Sequence, residues 1–147
     1  FATFSLQADG SRAQHALQVS LAGDAVAIDA AVDGGERDGR WRGTLTTLQL
    51  APKDRETWNL RAPAELAYDH EPQLLRLAES CLDAAPATLC AALDWSDAGG
   101  EARFSLQELA LAQLDPLLTA ALDAPLSAYG SLSANGTARR DAAGVVT

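Results

Sequence analysis

The stretch GRWRGTLTTLQL at residues 39–50 carries the pattern that determines the predicted fold. From Trp41 to Leu45 every second residue is nonpolar, and a period of two is typical of a β-strand with one apolar and one polar face. From Leu48 onward the alternation resumes one residue out of phase. We therefore predict a β-bulge, or a bend between two strands, at Thr46–Thr47.

The same alternation continues on both sides of this stretch. On the N-terminal side two alternating runs are separated by a predicted turn at Gly23-Asp24, and on the C-terminal side further runs continue to Leu132. The other predicted turns are Asp33-Gly34-Gly35, Ala51-Pro52-Lys53-Asp54, Asp97-Ala98-Gly99-Gly100 and Asn135-Gly136. Short alternating strands with frequent turns predict an all-β architecture. Alternation alone does not separate a closed sandwich from an open, curved sheet.

One segment departs from the strand pattern. After Leu109 the apolar residues are spaced three and four apart, which is the period of a helix. Asp115-Pro116 fits an N-cap followed by proline at the first helical position. We therefore predict one short helix near residues 116–122, ending before Pro125.

Cys81 and Cys90 are the two cysteines of the chain, and the residues between them include the turn former Pro86. If the flanking runs pair as antiparallel neighbours, the two Cβ atoms approach to the ~4 Å that a disulfide requires. We therefore predict a Cys81–Cys90 disulfide, and hence an oxidising compartment, with two reduced thiols as the alternative. The two histidines, His15 and His70, are distant in sequence from the cysteines, so we predict no metal site.

Composition excludes several classes of function. The chain has 20 acidic and 11 basic residues, a formal net charge of -9, and Lys53 as its single lysine. Nucleic acids and anionic lipid surfaces both favour clustered Lys and Arg, so neither is an expected partner. No run approaches the ~18 apolar residues of a membrane span. No nucleophile or phosphate-binding motif is present, so we expect no catalysis and no cofactor.

Two smaller features concern a candidate calcium site and the extent of the chain. Asp33, Glu36 and Asp38 cluster around two glycines, and we expect a solvated loop there, with a calcium site as the alternative. The chain contains no methionine, even at position 1. We therefore expect a fragment of a longer protein.

Three sets of residues, taken in order, resemble one family. They are residues 39–50, residues 58–66 (WNLRAPAEL), and Cys81-Leu82 with Leu89-Cys90, Ala92-Leu93-Asp94-Trp95 and the Leu-rich residues 109–118. Their order and spacing resemble the middle of TamB, the large subunit of the bacterial translocation and assembly module. The resemblance covers roughly residues 39–132, whereas the first 35 residues match only in strand pattern.

The resemblance implies both a location and a shape. TamB-like proteins are anchored in the inner membrane by an N-terminal helix, extend through the periplasm of Gram-negative bacteria and meet TamA, a barrel of the outer membrane. Their body is a curved, taco-like sheet of mostly antiparallel strands around an apolar groove. Residues 1–147 would then form a single β-groove segment excised from a much longer chain, without the anchor and without the TamA-binding end.

The resemblance also implies a function without catalysis. The groove would shield phospholipid acyl chains in transport between the two membranes and would support assembly of outer-membrane proteins, including autotransporters. The candidate residues of the groove wall are Leu17, Val19, Leu21, Val26, Ile28, Leu45, Leu60 and Leu66. Two alternatives stay open: an assembly factor that binds unfolded outer-membrane strands by edge addition, and a secreted β-sandwich binding module with a closed core.

Overall fold

The computed structural model of this chain describes residues 3–71, 73–114 and 129–141. The described residues form ten strands and one short 3-10 turn. The strands are β1 (Thr3–Ser11), β2 (Gln14–Ala22), β3 (Val26–Arg37), β4 (Arg40–Pro52), β5 (Trp58–Leu60), β6 (Ala64–Asp69), β7 (Leu74–Ala84), β8 (Ala87–Ser96), β9 (Gly99–Ala110) and β10 (Ser131–Arg140). The 3-10 turn, Leu111–Leu114, follows β9. The all-β prediction is confirmed.

All ten strands belong to one curved, antiparallel sheet in which chain neighbours are mostly sheet neighbours. The order across the sheet is β1-β2-β3-β4-β5-β7-β8-β9-β10, and β6 also pairs with β4 and β7. β5 and β6 thus occupy the same place between β4 and β7, one after the other. Pro63 lies between them, where the missing N–H of proline interrupts the hydrogen-bond ladder. The described strands form no second sheet, so the sandwich alternative is wrong for this part of the chain.

Three β-bulges keep the apolar side chains on one side of the sheet. In β4 the pairing slips at Thr46, as the change of phase in the sequence predicts, and the Thr46 hydroxyl donates to the Ala31 carbonyl over 3.1 Å. In β7 the slip lies between Leu77 and Ser80. In β9 it lies beside Glu108, whose φ is 53°. Each bulge adds one residue to one strand and so restores the phase of the alternation.

Two of the predicted turns are wrong. Asp33-Gly34-Gly35 lies inside β3, and the chain reverses instead at Asp38-Gly39, where both residues have positive φ. Asn135-Gly136 lies inside β10, where Asn135 and Gly136 are both paired with β9. In both cases an aromatic ring packs against the glycine, and the chain does not reverse there.

The predicted helix at 116–122 lies outside the described residues. The helical element that the structure describes is the 3-10 turn Leu111–Leu114, immediately before that stretch. It is anchored on both sides: the Leu111 amide donates to the Gly130 carbonyl over 3.0 Å, and the Arg55 guanidinium donates to the Ala112 carbonyl over 3.2 Å. The segment that precedes β5 is therefore tied to the segment that follows β9.

The sheet exposes far more surface than a compact protein of its mass. Its accessible surface is 9738 Å², whereas a compact monomer of this mass exposes about 7200 Å². Among the described residues only Ala64, Leu82, Ala84 and Ala87 are buried hydrophobic residues. Most apolar side chains of this sheet are therefore half-exposed.

Candidate functional site

One side of the sheet, called here the apolar face, carries almost all the large hydrophobic side chains. Directly paired residues of neighbouring strands point to the same side, so the pairings identify its members. Leu21 pairs with Ile28, Ile28 with Leu50, and Leu50 with Trp58. The same reasoning places all eight predicted wall residues on this face, namely Leu17, Val19, Leu21, Val26, Ile28, Leu45, Leu60 and Leu66. Each of them is half-buried.

The most exposed large hydrophobic residues within β1, β7 and β9 lie on this same face. Phe4 is 64% exposed, Leu6 58%, Phe104 50% and Leu75 38%. The pairings of Phe4 with Leu21 and of Phe104 with Ala91 place them on the apolar face. Sequence reasoning did not select these residues for the wall, although the period of two between Phe4 and Leu6 was available as a signal. The apolar face is thus accessible over much of the described sheet.

Aromatic rings cover glycines on the apolar face. A Cβ at Gly34 would lie 2.4 Å from the Trp41 ring, and one at Gly43 would lie 2.3 Å from it. The Trp95 ring stands in the same relation to Gly100, and the Phe104 ring to Gly136. Glycine in a strand interior often marks such a close approach. The rings therefore pack closely against the sheet at these glycines.

The opposite side, called here the polar face, is crossed by ion pairs between neighbouring strands. Arg61 donates to both carboxylate oxygens of Asp83, over 2.6 and 2.8 Å. Further pairs on this face are Arg42 with Asp69, Arg76 with Asp94 and Arg139 with Glu101. Ion pairs between exposed side chains contribute little to stability, because water and salt screen them. Their main effect is to keep this face charged and hydrated.

Hydrogen bonds within these pairs shift the ionisation of three carboxylates. The hydrogen bonds from Arg61 and then Thr88 lower the pKa of Asp83. The hydrogen bond from Arg42 lowers the pKa of Asp69. At the end of the sheet, the hydrogen bond from Arg12 lowers the pKa of Glu36. All three groups therefore stay ionised further into the acid range than free carboxyls do.

The predicted Cys81–Cys90 disulfide is present and lies on the polar face. The two cysteines pair directly across β7 and β8, with 4.0 Å between their Cα atoms. The chain reverses between them at Ala85-Pro86. The disulfide closes the hairpin a few residues from its turn, beside the bulge of β7.

A large cavity of the described residues lies mainly against the polar face. Its volume is about 2100 Å³, and it is lined by Asp33, Arg42, Asp94 and many of their neighbours, whereas Trp41 and Trp95 do not line it. Seven acidic and six arginine side chains line it, so their formal charges nearly cancel. Of the eight predicted wall residues only Leu66 contributes to it. The cavity is therefore lined mainly from the polar face, although Leu66, Leu77 and Leu93 of the apolar face also border it.

No group of three or more His, Cys, Asp or Glu among the described residues is arranged to hold a metal ion. Asp33 and Glu36, expected in a loop, instead lie within β3, and Glu36 pairs with Arg12. Nor does the described part of the chain contain a helix long and apolar enough to span a membrane.

Comparison with known proteins gives one family match. The sequence model of the family described as "TamB, N-terminal domain" matches residues 1–145. This match extends well beyond the motifs at 39–132, and its description differs from the middle position that the resemblance suggested. No curated protein and no solved structure matches the chain significantly.

Proposed function

This chain belongs to the TamB family, and on that premise we propose that its apolar face shields the acyl chains of phospholipids that pass from the inner to the outer membrane. The family acts in assembly of the Gram-negative envelope, has a TamA-type partner and is a transport and assembly component rather than an enzyme. We propose that the segment lies in the periplasm, in a parent protein anchored in the inner membrane. Support for assembly of autotransporters is part of the same proposal.

One observation carries the proposal: a sheet with one apolar face that the described residues leave open. Phe4, Leu6 and Phe104 are at least half exposed on that face. Each methylene removed from water contributes about 0.8 kcal/mol, so a partly covered acyl chain gains several kcal/mol. The cavity of the polar face is less suited to hydrocarbon, because charged side chains are interspersed with the apolar ones that line it.

Photocrosslinking in cells tests this proposal in the parent protein. A photoreactive residue would replace Leu6, Ile28, Leu66 or Phe104 on the apolar face. The controls replace Gln7, Asn59, Arg61 and Arg103, which lie on the polar face, two of them next to a tested position. We expect radiolabelled phospholipid at the apolar positions alone. Equal labelling of both faces, or none in a folded protein, would contradict the proposal.

Substitution of the apolar face gives an independent test. Leu66→Asp or Ile28→Asp places a charge on this half-buried surface, and we expect lipid crosslinking from Phe104 to be lost. Circular dichroism of the same variants distinguishes lost contact from lost fold. Unfolding of both variants would mean that these positions serve as core, and the lipid proposal would fail for them.

A second candidate is supported by the two ends of the sheet. Among the described strands, β1 pairs only with β2, and β10 only with β9. An unpaired strand edge can accept a further strand through backbone hydrogen bonds. In the same crosslinking experiment, outer-membrane protein precursors captured along β1 or β10, without lipid at the apolar positions, would favour this edge-addition function.

A further inference from the structure

One row of paired residues crosses the apolar face close to one end of the strands. Successive pairings between neighbouring strands define it, and its members are Glu36, Trp41, Tyr68, Leu75, Trp95, Gly100 and Arg140. We call it the aromatic row. Trp and Tyr have an apolar body and a polar tip, which suits them to a boundary between hydrocarbon and water.

The two sides of the aromatic row differ in polarity. Toward the middle of the strands, the neighbouring row contains Leu66, Leu77 and Leu93. Toward the strand ends, the hairpins carry charged and polar groups. His70 contacts the Tyr68 ring edge-on, with 5.0 Å between ring centroids, and Arg12 forms an ion pair with Glu36.

Hydrogen bonds fix both ends of the aromatic row. The Trp41 indole donates to Nε2 of His15 over 2.9 Å. At the other end, the Arg140 guanidinium lies 5.2 Å from the centre of the Trp95 ring and donates to the Ser96 carbonyl over 2.8 Å. These contacts hold the two indoles at one level of the sheet.

At the opposite end of the apolar face the β7–β8 hairpin is covered, whereas Phe4, at the same end of the sheet, is 64% exposed. Ala84 and Ala87, at the turn between β7 and β8, are only 4% and 1% exposed. Near the same end, the hydrogen bond from Arg55 to the Ala112 carbonyl joins the β4–β5 connection to the turn after β9. At the aromatic row, in contrast, Leu75 is 38% exposed. At the row, polar groups therefore lie next to accessible apolar surface.

From this asymmetry, and on the basis of the proposed function, we propose that the aromatic row sets the level of the phospholipid headgroup. The phosphate lies at the strand-end side of the row beside Arg12, whose side chain is 81% exposed, because guanidinium groups bind phosphate oxygens well. The acyl chains extend from the row toward the middle of the strands. A bilayer leaflet is about 15 Å of hydrocarbon deep, which corresponds to roughly four to five residues of a strand. Along β9, four residues from Gly100 lead to Phe104.

Two photoreactive phospholipids test this level in the full-length parent protein. One carries its reactive group on the headgroup and the other at the end of an acyl chain. We expect the headgroup probe to label Leu75 and the hairpin at Arg12, and the chain-end probe to label the surroundings of Phe104. Labelling of Leu75 by the chain-end probe and of Phe104 by the headgroup probe would overturn the inference, as would equal labelling. If neither probe labels the apolar face with a higher yield than the polar face, the proposed function itself fails.

A pair of matched variants tests the phosphate contact. Arg12→Gln removes an exposed guanidinium at the aromatic row, and Arg103→Gln removes one on the polar face; each is ion-paired with a glutamate. The readout is the crosslinking yield of a chain-end phosphatidylethanolamine probe divided by that of a diacylglycerol probe, which lacks the phosphate. We expect Arg12→Gln to lower this ratio by about two- to fivefold and Arg103→Gln to leave it unchanged. An unchanged ratio in Arg12→Gln, or an equal fall in both variants, would overturn the phosphate contact.

Discussion

At the scale of the residue, glycine on the apolar face serves the aromatic side chains. Gly34 and Gly136 were assigned to turns because glycine next to aspartate or asparagine is a common turn signal. In the structure a neighbouring ring occupies the space that a Cβ would need at each position. The signal that would have prevented the error is long-range, since Trp41 and Phe104 are seven and 32 residues away in the chain.

Gly34→Ala should destabilise the protein more than Gly136→Ala. At Gly34 the new methyl group meets the Trp41 ring at 2.4 Å and the backbone oxygen of Arg42 at 2.7 Å, and such overpacking costs about 1–3 kcal/mol. At Gly136 the obstacle is the ring of Phe104, which is half exposed and can turn away. Alanine also recovers about 0.5–1 kcal/mol of backbone entropy in a strand.

Equilibrium unfolding of the two glycine variants and the unsubstituted protein measures this difference. With Trp58 and Trp95 replaced by Phe in all three proteins, the fluorescence of Trp41 reports the displacement of its ring in Gly34→Ala. Equal stability of both variants would contradict the close approach of the indole to the sheet.

Asp83 gives a prediction on pH. Because the pKa of Asp83 is lowered in the folded state, its ionised form contributes stability above the unfolded pKa of about 4 and loses that contribution as the pH falls further. Asp83→Asn removes this dependence, so we expect its unfolding temperature to fall less steeply than that of the unsubstituted protein below about pH 4. Parallel pH profiles for the two proteins between about pH 2 and pH 6 would contradict the role of the Arg61 hydrogen bonds.

At the scale of the element, the hairpin of β7 and β8 depends on its disulfide. Cys81 and Cys90 are nine positions apart, and closing so short a loop stabilises a fold by about 2.5–3 kcal/mol in the chain-entropy description. We expect a Cys81→Ser, Cys90→Ser double variant to lose that much free energy of unfolding. Reductant should lower the free energy of unfolding of the unsubstituted protein by the same amount and leave that of the double variant unchanged. An unchanged free energy of unfolding both in the double variant and in the reduced unsubstituted protein would refute this estimate.

Most strands and the bulge at Thr46 could be predicted from the sequence because both are local, whereas β1 and the bulge beside Glu108 were not predicted. A strand with one apolar face has a period of two, and a bulge is a change of phase, visible at Thr46 as two apolar runs out of step. The disulfide followed from the same local reasoning. The division of one sheet position between β5 and β6 could not be predicted, because it depends on which distant strands pair with β4.

At the scale of the whole molecule, the apolar face was predictable but its relation to the cavity was not. Alternation indicates which residues share a side, and all eight predicted wall residues do share one. The position of the cavity depends on how the sheet curves, which is the sum of strand twist, bulges and crowding over ten strands. No short stretch of sequence determines this curvature, so the sequence did not predict that the cavity lies against the charged face.

The bulge at Thr46 has a further consequence for how such a sequence can change. In a strand with one apolar and one polar side, successive side chains alternate between the two sides. Gain or loss of one residue therefore shifts every later side chain of that strand to the opposite side. Deleting Gln18 from β2, whose pairings contain no bulge, would shift Val19 and Leu21 away from the apolar face. Deleting Thr46, in contrast, would remove the bulge of β4 and leave its leucines on that face. We therefore expect these strands to tolerate insertions or deletions of two residues, and of a single residue only at a bulge.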